Sequence, residues 1–188
     1  MDQTLKDQAA RVRIHLSARA AAAGARPAGR APEAAQSKTP DGYRDELAKA
    51  AYEVFEIMVG TSLATATEGS PDFVPDFAAI VGIAGSLCGL VGLHTSFECA
   101  RRMAAKMLGG DEVAAGADVQ DAIGEVCNMI AGSFKGRIAG LADGCALSVP
   151  TVIIGRDFAL FSLAHGEHYE VTYTFEGQPL SVTLDLHS

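Results

Sequence analysis

The chain has 188 residues, 48% of them hydrophobic but only 6% aromatic, so it has room for one domain whose core must rest on Ala, Val, Ile and Leu. Its formal charge of −8 divides unevenly. Residues 1–40 hold seven basic and three acidic groups (net +4), leaving 8 and 20 (net −12) in residues 41–188, a balance that disfavours nucleic acid as a partner.

No apolar run reaches the roughly 18 residues of a membrane span. Residues 81–93 are apolar but are cut by Gly82, Gly85, Gly89 and Gly92, which suits a strand pair. Cys88, Cys99, Cys127 and Cys145 form no CxxC pair, so they read as buried thiols in a reducing compartment rather than as zinc ligands or a disulfide framework. With no apolar secretory segment at the N-terminus, the expected location is cytoplasmic.

Residues 1–40 are expected to form a tail separate from the domain at 41–188. Leu5, Ala9, Val12 and Leu16 have helical spacing, but residues 17–40 are mostly Ala, Arg, Gly, Pro, Gln and Ser, a linker composition. From Tyr43, apolar residues recur every three or four positions through Leu47, Ala50, Ala51, Val54, Ile57 and Met58, predicting a helix closed by Gly60. Strands are predicted over 62–67, 77–83 and 87–94, with a turn at Gly85 and Ser86. A second helix over 96–108 ends at Gly109 and Gly110, and the longest runs over 118–139. Strands follow over 146–154, 158–165, 169–175 and 180–186, the last two joined around Glu176, Gly177 and Gln178.

Each half thus reads as a helix, an extended segment, a Pro-containing gap and a hairpin. Asp-Phe-Ala opens both hairpins, at Asp76 and at Asp157. The expected fold class is α+β: a pseudo-twofold duplicated unit with long helices on a mostly antiparallel sheet.

The longest helix carries the chemistry. At about 100° per residue, Val119, Ile123, Val126, Cys127, Ile130, Phe134 and Ile138 share one face. Asp121, Glu125, Asn128 and Gly132 fall within about 40° of the opposite pole, where Glu125 and Asn128 are i,i+3 neighbours. Asn128, Gly132 and Gly136 follow at four-residue steps along one ridge. Asn costs about half a kcal/mol and Gly about 1 kcal/mol relative to Ala in a helix interior, so local stability does not account for them. Missing side chains at Gly132 and Gly136 would let another macromolecule approach. A carboxylate can pair with a partner's lysine, and an amide can both donate to and accept from a water. Spacing alone also fits a plain solvated face.

The string Glu125-Val-Cys-Asn128-Met-Ile-Ala-Gly132 resembles the signature helix of the CheC/CheX chemotaxis phosphatases. The glycine-punctuated hairpin from Gly85, leading into a helix that ends in Leu108-Gly109, is similar to that family as well. The resemblance implies removal of the phosphoryl group from the aspartyl phosphate of a CheY-like receiver. Glu125 would pair with the receiver's lysine and Asn128 would orient the attacking water. Asp121, Gly132 and Gly136 would line the docking face. The chain itself would bind no metal or other cofactor, and Mg2+ would sit in the receiver.

In the first helix the matching positions are Glu53 and Glu56, with a carboxylate where the motif has Asn, so the chain resembles the single-site, CheX-like branch. That branch implies a homodimer, with 180–186 as a candidate edge strand. The competing reading is a non-catalytic receiver-binding or flagellar-switch adaptor, which has no need of the water-holding amide. His94, His165, His168 and His187 lie in or near strands without a convincing metal spacing. Ser96, Ser133 and Ser148 lack a nucleophile elbow.

Overall fold

The computed structural model describes residues 40–65, 73–110, 116–155, 158 and 166–187. The linker and tail over 1–39 lie outside them, as does all of the strand expected over 158–165 except Phe158.

Helix α1 spans Pro40–Val54 and runs into a π-helical turn, Phe55–Val59, closed by Gly60 at φ 66° with its N–H on the Phe55 carbonyl. A positive φ at that stop favours glycine. Strand β1 is Ala64–Thr65; of the segment expected over 62–67, residues 62 and 63 are not in the strand and 66 and 67 lie outside the described residues. The hairpin of β2 (Phe77–Gly85) and β3 (Cys88–Thr95) follows.

Helix α2, Phe97–Met107, is capped twice at its start. The Ser96 hydroxyl accepts from the Cys99 N–H at 3.1 Å, and the Asp76 carboxylate accepts from the Phe97 N–H. Helix α3, Ala117–Arg137, has Asp118 in its first turn and Lys135 and Arg137 in its last, both favourable to the helix dipole. Strands β4 (Cys145–Leu147), β5 (Thr151–Ile154), β6 (His168–Phe175) and β7 (Gln178–His187) complete the set. Glu176 and Gly177, both at positive φ, turn β6 into β7.

These strands form one antiparallel sheet in the order β1-β6-β7-β3-β2-β4, with β5 also on β2. The order is symmetrical about the β3/β7 pairing. Each half's hairpin takes its outer neighbour from the other half: β1 lies on β6, and β4 and β5 lie on β2. The fold is therefore α+β, as expected. Two strand expectations fail, the first because the run expected over 146–154 is broken at 148–150 between β4 and β5. Residues 180–186 are not an edge, because β7 pairs with β3 on one side and β6 on the other, which occupies its backbone on both sides.

Alternate residues of each central strand face the helices: Phe77, Ala79, Val81 and Ile83 on β2, Val91 and Leu93 on β3, and Leu180, Val182, Leu184 and Leu186 on β7. Helix α1 lies over β6 and β7, and α3 over β2 and β3, side by side. Cys99, Cys127 and Cys145 are buried as expected, whereas Cys88, on the outward phase at the start of β3, is exposed.

An ion-pair network joins the two long helices. Arg137 donates to Glu53 at 2.7 Å and to the Ser133 hydroxyl at 3.2 Å; Ser133 donates to Glu53 at 2.7 Å, and Glu46 lies 3.8 Å from the guanidinium. The Ser133 hydrogen bond, followed by the hydrogen bond and charge of Arg137, holds the Glu53 carboxyl below its usual 4.5. A depressed folded-state pKa gives stability that is present above the unfolded value and lost as pH falls through the folded one. Glu53→Gln should therefore melt slightly below the parent at pH 7. The gap should close in the acid range below 4.5, as followed by melting temperature against pH.

Candidate functional site

Periodicity in α3 sets which side chains reach solvent. Val119, Ile123, Val126, Cys127, Ile130 and Phe134 are buried, as are Ala122, Gly124 and Ala131, so the helix is enclosed over more than half its circumference. Asp121 and Glu125 are exposed, Asn128 and Gly132 half-buried, and Gly136 exposed. All five residues expected at the site thus lie along one ridge.

Two flanks confine that ridge. On one side α1 reaches α3 through the Glu53–Arg137–Ser133 network and the Tyr43–Phe134 ring contact. On the other runs the sheet edge. A Cβ on Gly124 would meet the Pro150 Cβ at 3.4 Å and the Val152 Cγ2 at 3.7 Å, while one on Gly132 would lie 4.0 Å from the Leu147 Cδ1. Gly132 therefore borders this chain's own edge strand, nearer to a neighbour than its place at the solvent pole implies. A Cβ on Gly136 meets nothing within 4 Å.

Neither the Glu125 carboxylate nor the Asn128 amide has a hydrogen bond or ion pair among the described residues. An unpaired acid and an unpaired amide, one turn apart on a rigid helix, can receive a cation and a water from outside. The adjacent thiol is of no use to such chemistry. Cys127 points inward, its Sγ 3.4 Å from the Ala79 carbonyl, and burial pushes its pKa up to about 12.

The corresponding positions in the first half are committed to structure. Glu53 is held by Ser133 and Arg137, and Glu56 lies in the π-helical turn, accepting from the Ser62 hydroxyl at 3.4 Å. With that turn wound wider than α3, Glu53 and Glu56 do not repeat the Glu125/Asn128 geometry. Glu56→Ala should leave any phosphatase rate within about twofold of the parent, whereas Asn128→Ala should not. Equal losses from both variants would move the site to α1.

Among the described residues, His94 and His168 hold separate structural contacts. His94 Nε2 lies 3.1 Å from the Thr183 hydroxyl, and its pKa is lowered by burial; His168 pairs with Asp185 at 2.8 Å. Among the described residues no group of three or more His, Cys, Asp or Glu could hold a metal ion, and no helix is long and apolar enough to cross a membrane.

The symmetrical antiparallel sheet is backed by two long helices, and α3 presents Glu125 and Asn128 on its outer ridge. The family model for the chemotaxis phosphatase CheX matches residues 77–176, which include α3, and the chain belongs to that family. The chain is similar in structure to the chemotaxis protein CheX of Vibrio vulnificus, at 17% identity and a TM-score of 0.68 over 80% of this chain and 100% of that one. CheX of Desulfovibrio desulfuricans gives 22% and 0.67, covering 78% and 99%. CheX of Borrelia burgdorferi, solved as a complex with CheY, BeF3 and Mg2+, gives 20% and 0.64, covering 78% and 98%. No curated protein matches the chain.

Proposed function

We propose that this protein hydrolyses the aspartyl phosphate of a CheY-like receiver, with Asn128 orienting the water and Glu125 pairing with the receiver's lysine. The observation that carries this reading is the Glu125/Asn128 pair itself, without a partner among the described residues, on the accessible ridge of a helix enclosed over more than half its circumference. Membership of a phosphatase family and likeness to a CheX protein solved with CheY support it.

The Asn128 side-chain oxygen would accept a hydrogen bond from the water and its NH2 group would donate one, holding the water with a lone pair directed at phosphorus. The water oxygen bonds to phosphorus as the phosphorus–oxygen bond to the aspartyl group breaks. The electron pair leaves with the receiver's carboxylate, and the water's proton passes to solvent. An acyl phosphate is already activated, so positioning supplies the acceleration and no covalent intermediate on this chain is needed. Glu125 would fix the receiver's lysine and with it the docking register. The Mg2+ of the reaction would be held by the receiver's own carboxylates.

The test follows the decay of a phosphorylated CheY receiver, with Mg2+ present, with and without the purified chain. Catalytic decay at substoichiometric protein supports the reading. Tight binding with no acceleration would instead identify a receiver-binding adaptor.

A further inference from the structure

We infer that the edge-strand segment Ser148, Val149 and Pro150 is a second wall of the receiver-docking surface, with Val149 as an apolar contact that sets affinity and partner choice. This rests on the receiver reading above.

Strands β4 and β5 are one edge strand interrupted by a bulge. Ile83 pairs with Leu147, and Ile80 with Thr151, so three residues of the edge (148, 149 and 150) oppose two of β2, Val81 and Gly82. A bulge of this kind re-aims side chains, and bulges concentrate at sheet edges and beside active sites. Here it shifts the facing pattern by one residue. Leu147 borders Gly132 before the bulge, and Pro150 and Val152 border Gly124 after it. In an unbroken strand Val149 would share Leu147's helix-facing phase, but it is 83% exposed.

Register places Val149 at the height of Asn128 along the helix axis. The helix rises about 12 Å between residues 124 and 132, and an extended chain covers about 10 Å between 147 and 150. With Leu147 beside Gly132 and Pro150 beside Gly124, residues 148 and 149 stand level with Asn128. The wall is also held fixed. The Ser148 N–H donates to the Gly82 carbonyl and the Ser148 Oγ accepts from the Gly82 N–H, each at 2.9 Å; that hydroxyl donates to the Val149 carbonyl at 2.9 Å. Pro150 removes a backbone donor and keeps Val149 extended. A lone exposed valine is ordinary on a protein surface. One set out by a bulge, following a serine held by three hydrogen bonds, and level with an amide that has no partner among the described residues, is a preorganised contact, which costs little ordering on binding.

The test compares the full chain with Val149→Asp and Val149→Ile, using a CheY receiver phosphorylated with acetyl phosphate and varied in concentration. Val149→Asp should raise KM at least about tenfold, keep kcat at saturation within about twofold and leave the melting temperature unchanged. Val149→Ile should keep a parental KM. An unchanged KM for Val149→Asp, in a protein whose Asn128→Ala variant is inactive, overturns the second wall and leaves the proposed reaction standing. A fall in kcat without a rise in KM also overturns it. Absence of turnover by the parent chain overturns the reaction and the wall together.

Discussion

Asn128→Ala should reduce dephosphorylation of a CheY receiver at least about a hundredfold while leaving the fold and receiver binding intact, because in phosphoryl transfer from an activated acyl phosphate the catalyst's contribution is almost wholly position. The side chain is half-buried on the outer ridge of α3, has no partner among the described residues and supports none of the core, so truncation opens no cavity. Helix propensity moves the other way, since Ala is about half a kcal/mol better than Asn in a helix interior. The variant should melt at or slightly above the parent temperature. Asn128→Asp sharpens the test: it keeps the acceptor, loses the donor and adds a charge that repels the phosphoryl group, so it should be as impaired as the alanine. Near-parental decay with either variant would end the catalytic reading.

Much of this arrangement was legible in the sequence because it depends on local periodicity. The apolar phase of α3 from Val119 to Phe134 is a 3.6-residue pattern that a single helix must bury on one face, which puts Glu125 and Asp121 outside whatever the tertiary partner is. The hairpins were equally local. Gly85 at φ 141°, and Glu176 with Gly177 at positive φ, turn strands whose pattern already marks their limits.

Pairing between distant segments was not legible. Nothing local in 180–186 distinguishes an edge strand from a central one, because both alternate. Its central place follows from β3 and β6, which join it from 85 and 9 residues away, Thr95 pairing with Leu180 and Thr172 with Ser181. The bulge between β4 and β5 carried one local signal, Pro150 within a run read as a single strand over 146–154, since proline inside a strand marks an edge or a bulge. The role of Glu53 carried none, as its partners Ser133 and Arg137 come from another helix.

Gly132→Leu should cut receiver affinity and turnover together, by at least about thirtyfold in kcat/KM, in a protein that remains folded, because a bulky group would then stand one turn from Asn128 on the ridge where the receiver's phosphorylated face must approach. The local geometry is permissive: a Cβ at Gly132 meets only the Leu147 Cδ1, at 4.0 Å, an ordinary contact with the end of a mobile side chain. Leucine also raises helix propensity by several tenths of a kcal/mol over glycine. Stability should hold or rise while function is lost. Gly132→Ala controls for propensity alone and should retain most activity, since its methyl fits the same space. Thermal melting and phosphoreceiver decay measured on one preparation decide the matter. A well-folded Gly132→Leu variant with parental kcat/KM would show that the ridge is solvated surface and that the receiver docks elsewhere, even if Asn128 proved essential. Unfolding would mean that Leu147 cannot yield, and that Gly132 is glycine to let the edge strand close on α3.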